Sequence, residues 1–178
     1  QRTALEITTY DIIFLAGGWG AAYDVGYSDD LGQKISDAYY TGNSIIGGVC
    51  HGPLGLTRAK DKDGNLLIAG RRMTAVTDKQ IKQLFITATP QHPEAELRKA
   101  GALFESQSKF IDMFATHVVT DDEKRFVTGQ NQNSGHYPLG RTSPQAINAC
   151  VRPCVTLFVS EIEHSSAKTK NEVTSTRA

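Results

Sequence analysis

The segment Gly48-Val49-Cys50-His51-Gly52 constrains this chain more than any other. It closes an apolar run from Ser44 to Val49 and precedes a stretch that reads as a helix from Gly52 past Leu56 to about Lys60. A G-x-C-x-G pattern at a strand-to-helix junction is the thiol form of the nucleophile elbow. The turn is so tight that small residues must flank it, and it forces the central side chain into the open. Unpaired N–H groups at the helix start, with the positive end of the dipole, favour thiolate over thiol and lower the cysteine pKa. The same groups are placed to hold a developing oxyanion. A buried cysteine in an ordinary turn is the competing reading. Motif and junction together point to a reactive Cys50 with His51 as the adjacent base.

Strand-like apolar runs alternate with helical segments along the rest of the chain, the pattern of an α/β domain with a mostly parallel sheet. Asp11 to Leu15 reads as a strand that ends in Ala16-Gly17-Gly18-Trp19-Gly20. Asp29 and Asp30 open a helix whose apolar positions are Leu31, Ile35, Ala38 and Tyr39, and it stops at Thr41-Gly42. Asp61 to Asn65 is a turn, and Leu66 to Ile68 form a short strand after it. Thr77–Leu84 and His92–Ala100 read as helices, the second with Pro93 at its first position and acids in its first turn. Ala102–Glu105, His117–Thr120 and Arg125–Thr128 are further strand candidates. A closing helix is expected from Thr142 to Ser160, with Pro153 kinking or breaking it. A polar tail follows from Glu161 to Ala178.

Composition narrows the function classes. The 178 residues suit one domain, since a domain takes roughly 150 residues. The 19 basic and 19 acidic residues cancel, which removes the electrostatic footprint of a nucleic-acid binder. No apolar run approaches the length of a membrane span. Three cysteines, an odd count, argue against a disulfide framework and for a reducing compartment, by default the cytoplasm. Cys150 and Cys154 stand four apart and would share a helix face, where packing is the simplest role. No set of residues calls for a metal or a cofactor. His92, before a proline at a helix start, reads as a capping or surface residue. His117 reads as structural, and Glu94, Glu96, Arg98 and Lys99 as a solvated helix face.

Three blocks carry a resemblance. They are Tyr10-Asp11-Ile12-Ile13-Phe14-Leu15-Ala16-Gly17-Gly18-Trp19-Gly20, then Val49-Cys50-His51-Gly52-Pro53, then Val127-Thr128-Gly129-Gln130-Asn131. In this order and spacing they resemble the signature blocks of the DJ-1/PfpI superfamily, which has a glutamine-amidotransferase-like fold, and within it the Hsp31-like branch. The resemblance implies a three-layer α/β sandwich of flavodoxin-like type over residues 1–160, followed by the tail at 161–178. It implies that Cys50 is the nucleophile, that His51 is its histidine, and that the Gly17-Gly18 loop and the His51 amide form the oxyanion hole. Trp19 falls where many relatives carry histidine and would shape the pocket mouth. His136, after a polar loop starting at Gln130, is a candidate for substrate contact.

Two departures accompany the match. Relatives often carry an acid after the segment matching Met73-Thr74-Ala75-Val76, where it orients the histidine. This chain continues Thr77-Asp78-Lys79-Gln80, so Asp78 is the nearest carboxylate, with helix capping as its simpler role. A family glutamate near the end of the first strand has no counterpart, because Glu6 lies too close to the next strand. Since relatives have sheet strands before the block at Asp11, the resemblance implies a domain lacking about 50 or more N-terminal residues, against the one-domain length expectation.

The function that this resemblance implies is a cofactor-independent cysteine enzyme acting on a small reactive aldehyde. The nearest activity is a glyoxalase III-like conversion of methylglyoxal to lactate through a Cys50 hemithioacetal. A cysteine hydrolase acting on peptide or amide bonds would use the same parts. From a different class, a stress-response holdase chaperone or cysteine oxidation sensor would keep Cys50 with vestigial catalysis. A homodimer is expected by resemblance alone.

Overall fold

The computed structural model describes residues 10–86, 88–112 and 115–136. The chain divides into two units, Gln1–Pro138 and Leu139–Ala178, and every described residue lies in the first. The expected closing helix at 142–160, Cys150, Cys154, the tail at 161–178 and the segment around Glu6 lie outside the described residues.

In chain order the elements are β1 (Ile12–Leu15), α1 (Asp29–Tyr40), β2 (Ile45–Val49), β3 (Arg72–Met73), α2 (Asp78–Gln83), α3 (Pro93–Lys99), β4 (Leu103–Phe104), β5 (Val118–Thr120) and β6 (Phe126–Gly129). Four strands form one sheet in the order β1-β2-β6-β5. The β1, β2 and β6 strands run parallel, with Phe14 beside Gly47 and Gly47 beside Val127, while β5 pairs antiparallel to β6. The β3 and β4 strands form a separate parallel pair. A mostly parallel sheet flanked by helices is the expected α/β class. The central strand β2 is apolar and glycine-rich because it is covered on both faces.

Helix α1 starts where Ser28 accepts the Leu31 N–H at 3.1 Å, with Asp29 and Asp30 in its first turn. It buries Ile35 and Ala38, one helical turn apart, against the sheet. Ile35, Ile46 of β2, Leu56, Met73 of β3, Leu97 of α3 and Phe126 of β6 form a single core cluster.

Three local expectations are corrected. The stretch after the elbow is a five-residue 3₁₀ helix, Gly52–Leu56, and does not run on to Lys60. Gly52, Pro53 and Gly55 are poor α-helix residues, and the Thr57 hydroxyl donates to the Leu54 carbonyl at 2.7 Å, closing the turn. Leu66 to Ile68 make no strand: Leu66 forms one bridge to Lys60, and Leu67 and Ile68 are apolar because they enter the core within a turn. The polar stretch after Gln130 is in part a 3₁₀ helix, Gln132–His136.

One half-buried cation ties the layers together. Arg71 contacts Asp121 at 2.6 Å and Glu123 at 2.9 Å, donates to the Tyr39 hydroxyl at 2.8 Å, and lies 5.1 Å from the Phe126 ring centre. Asp121 also accepts the N–H groups of Arg125 (2.8 Å) and Phe126 (2.9 Å), which fixes the β5–β6 turn. Phe126 is fully buried and stacks on Tyr39 with ring centres 5.6 Å apart. Phe126→Ala should therefore lower the unfolding free energy by about 3–5 kcal/mol, read as a lower urea midpoint at unchanged slope.

Candidate active site

The elbow sits at the C-terminal end of the central strand, where the parallel sheet opens between its neighbours. Cys50 has φ 60°, the left-handed region that non-glycine residues rarely adopt. The Cys50 N–H donates to the Gly129 carbonyl at 2.9 Å, and the Cys50 carbonyl accepts the Val76 N–H at 3.1 Å. These bonds lock the strained residue between the end of β6 and the segment leading into α2.

The flanking glycines are required by contact. A Cβ on Gly52 would stand 2.1 Å from the Leu15 carbonyl oxygen, and one on Gly17 would stand 2.7 Å from the Val49 carbonyl oxygen and 2.9 Å from Cys50 Cβ. The loop after β1 therefore lies directly against the cysteine. Gly18 takes φ 112°, open only to glycine. The N–H groups of Gly18 and His51 both reach the cysteine sulfur. The two amides expected to hold an oxyanion thus converge on the cysteine sulfur.

His51 Nδ1 lies 3.4 Å from Cys50 Sγ. The ring is 3% exposed, and its Nε2 has no hydrogen-bond partner among the described residues. Burial holds His51 below the ordinary imidazole range, and the charge of His92 acts in the same direction. For Cys50 the structure reverses the expectation of a lowered pKa. Burial pushes the thiol up and outweighs the amides of His51 and Gly18, which pull it down. The helix end that was to stabilise the thiolate is a short 3₁₀ turn, and Pro53 in it supplies no N–H.

Asp78 is the first residue of α2 and its carboxylate meets His92 Nδ1 at 2.9 Å; it makes no hydrogen bond to His51. Helix capping there belongs to Thr77 and Gln80, which form a capping box. The Gln80 amide is turned away, donating to the Asp112 carbonyl at 2.8 Å. Glu94 joins this corner by accepting the Asp78 N–H at 3.1 Å. His92 occupies the N-cap position of α3 without capping it by its side chain. Its contact with Asp78 is what sequence reasoning missed. The one available signal was a histidine at a helix start following an aspartate at another.

Trp19 lies in a 3₁₀ turn after the glycine pair and is 43% exposed. His136 ends the 3₁₀ helix that follows β6, and its side chain lies outside the described residues. Gln130 is fully buried and clasps the Gln107 backbone, accepting its N–H and donating to its carbonyl, both at 2.9 Å. Asn131 donates to the Ala115 carbonyl at 3.0 Å. These amides brace the strand end that supports Cys50. Among the described residues no group of three or more His, Cys, Asp or Glu side chains is arranged to hold a metal. Nor is any helix there long and apolar enough to cross a membrane. Gly52→Ala should lower the urea midpoint of unfolding, because its methyl group cannot fit against the Leu15 carbonyl without moving the elbow; a midpoint equal to wild type would contradict this.

No family model matches the chain. It is 30% identical over 149 residues to a probable glutathione-independent glyoxalase, hsp3104, of Schizosaccharomyces pombe, covering 82% of this chain and 63% of that protein. It is 37% identical over 142 residues to glyoxalase 3 of Candida albicans, covering 75% and 57%. The chain thus spans less than two thirds of the length of these relatives. Among solved structures, the 24 kDa rapid encystment protein of Francisella tularensis matches with a TM-score of 0.66 at 30% identity, covering 74% of this chain and 56% of that one. With the strained cysteine elbow, its adjoining histidine and the converging glycine amides, these likenesses show that the chain belongs to the Hsp31-like branch of the DJ-1/PfpI superfamily.

Proposed function

We propose that this chain is a cofactor-independent cysteine enzyme that converts methylglyoxal to lactate. The observation that carries this reading is the placing of one sulfur atom 3.4 Å from His51 Nδ1 and within reach of the Gly18 and His51 amides. The glyoxalase names of the relatives support the substrate class. Nδ1 takes the thiol proton as the sulfur adds to the aldehyde carbon, and the resulting alkoxide is held by the two amides before it is protonated. After losing its first proton to solvent, Nδ1 takes the hydrogen of that carbon as a proton, leaving an enediolate, and returns it to the former ketone carbon, while the hydroxyl proton of the first carbon passes to the oxygen of the second. One carbon is oxidised to a thioester while its neighbour is reduced to an alcohol, so the electrons stay within the substrate. Water then hydrolyses the thioester, releasing lactate and the thiol. Trp19, Gly17 and His136 are assigned to the substrate side and Asp78 to the acidic group of the site. The same reading has the chain act as a homodimer in the cytoplasm, in line with the resemblance and the odd cysteine count.

Turnover of methylglyoxal by the chain, with lactate detected directly, tests this. Cys50→Ala should reduce turnover to the uncatalysed rate, and lactate formation equal to wild type would overturn the assignment. The pH profile has a definite sign. His51 must be neutral to accept a proton, and its lowered pKa puts the acid limb below the ordinary value of about 6.5. The Cys50 thiol is raised, so kcat/KM should go on rising above the ordinary thiol value of about 8.5.

A peroxide sensor is less well supported, since sensing needs a thiolate near neutral pH and burial at Cys50 opposes it. A holdase role has one observation in its favour. Phe85 is 88% and Phe110 94% exposed, and Gln83 links their segments by donating to the Phe110 carbonyl at 3.0 Å. Exposed apolar surface of this kind can hold unfolded chains. If it does, Phe85→Ser with Phe110→Ser should lose suppression of thermal aggregation of a client protein, while Cys50→Ala keeps it.

A further inference from the structure

The start of α1, the stretch after the 3₁₀ helix Gly52–Leu56, and α3 wall a cleft of about 350 Å³. None of the residues lining it belongs to the Cys50 elbow or to the Gly17-Gly18 loop. A volume of this order falls at the small end of small-molecule sites. What sets the cleft apart is Gln91, which lines it and is 6% exposed. The Gln91 amide packs on the 3₁₀ turn Val25–Tyr27, so closely that a Cβ on Gly26 would stand 2.2 Å from its Oε1. Yet that oxygen accepts no hydrogen bond among the described residues. A buried amide oxygen without a donor is costly, and folded proteins keep few of them.

The charges around the cleft are of both signs, and they are unequally engaged. Arg58 is committed, since it meets Asp29 at 3.0 Å and its Nε donates to the Gly26 carbonyl at 3.3 Å. Lys60 makes no ion pair among the described residues. Glu96 is held only by Lys99 at 3.7 Å, too long for a strong hydrogen bond. The cleft therefore offers two available cations, Lys60 and Lys99, and two available acceptors, Gln91 and Glu96. Leu66 and Ala100 supply aliphatic wall, and no aromatic side chain among the described residues lines it, so nothing there stacks a flat ring.

We propose that this cleft binds a free amino acid with a small aliphatic side chain. Gln91 Oε1 and Glu96 take its ammonium group, Lys60 and Lys99 its carboxylate, and Leu66 and Ala100 its side chain. The last torsion of a glutamine side chain is soft, so Oε1 can turn from Gly26 into the cleft when a donor arrives. A simple anion would leave the Gln91 oxygen without a donor, and a simple amine would leave Lys60 without a partner. The proposal is independent of the glyoxalase reading, because no group of the elbow takes part.

Calorimetric titration of the full chain with L-valine tests this, with isovalerate and isobutylamine as probes that each lack one of the two charges. L-valine should bind, and each analogue should bind about tenfold more weakly or worse. Lys60→Glu should remove L-valine binding, and Lys60→Arg should keep it. Gln91→Met should also remove binding while its urea midpoint stays at or above that of wild type, because the unpartnered oxygen is gone. Cys50→Ala should bind L-valine as wild type does, and loss of binding there would place the ligand at the elbow and overturn the proposal. It is overturned too if L-valine gives no binding heat, if either analogue binds as well as L-valine, or if Lys60→Glu binds like wild type. A lowered midpoint in Gln91→Met with L-valine binding intact would show Gln91 to be a packing residue, against the proposal.

Discussion

Everything at the site depends on three backbone segments meeting at a distance that only glycine permits. The loop after β1, the elbow after β2 and the end of β6 converge on Cys50, and a single added methyl at Gly52 would stand 2.1 Å from the Leu15 carbonyl. The cysteine takes a left-handed conformation because hydrogen bonds from both sides hold it there, to Gly129 and from Val76. Strain of this kind costs on the order of 1–3 kcal/mol and persists only where the surroundings over-determine it. Here the surroundings are the parallel register of β1, β2 and β6, which brings all three segments to the same end of the sheet.

The same crowding sets the electrostatics. Enclosing the sulfur raises the thiol, and the two amides that reach it offset that only in part. Those donors are backbone N–H groups, which the fold fixes in place. A half-buried thiol thus lies beside a buried imidazole, each shifted by desolvation toward its neutral form.

Much of this was legible in the chain. The G-x-C-x-G segment after an apolar run located the elbow, since few residues tolerate such a turn, and the glycine pair at Gly17-Gly18 marked the loop opposite it. Helices α1, α2 and α3 were legible from spacing and from residues suited to helix starts. The 3₁₀ turn after the elbow was not, because glycine and proline content competed with apolar spacing and a Thr57 side-chain bond decided the outcome. Leu67 and Ile68 look like a strand in sequence because apolarity reports burial, and burial alone does not choose between strand and turn.

By itself the sequence determined the α/β class, the position of the cysteine elbow and the identity of the neighbouring histidine, because close backbone packing and residue chemistry at adjacent positions are local properties. Only the tertiary structure decided that burial outweighs the amides at the thiol, and that Asp78 meets His92 and makes no hydrogen bond to His51. Both turn on groups far apart in the chain: desolvation and charge coupling follow distances in space, and those are fixed only when the sheet and its helices pack.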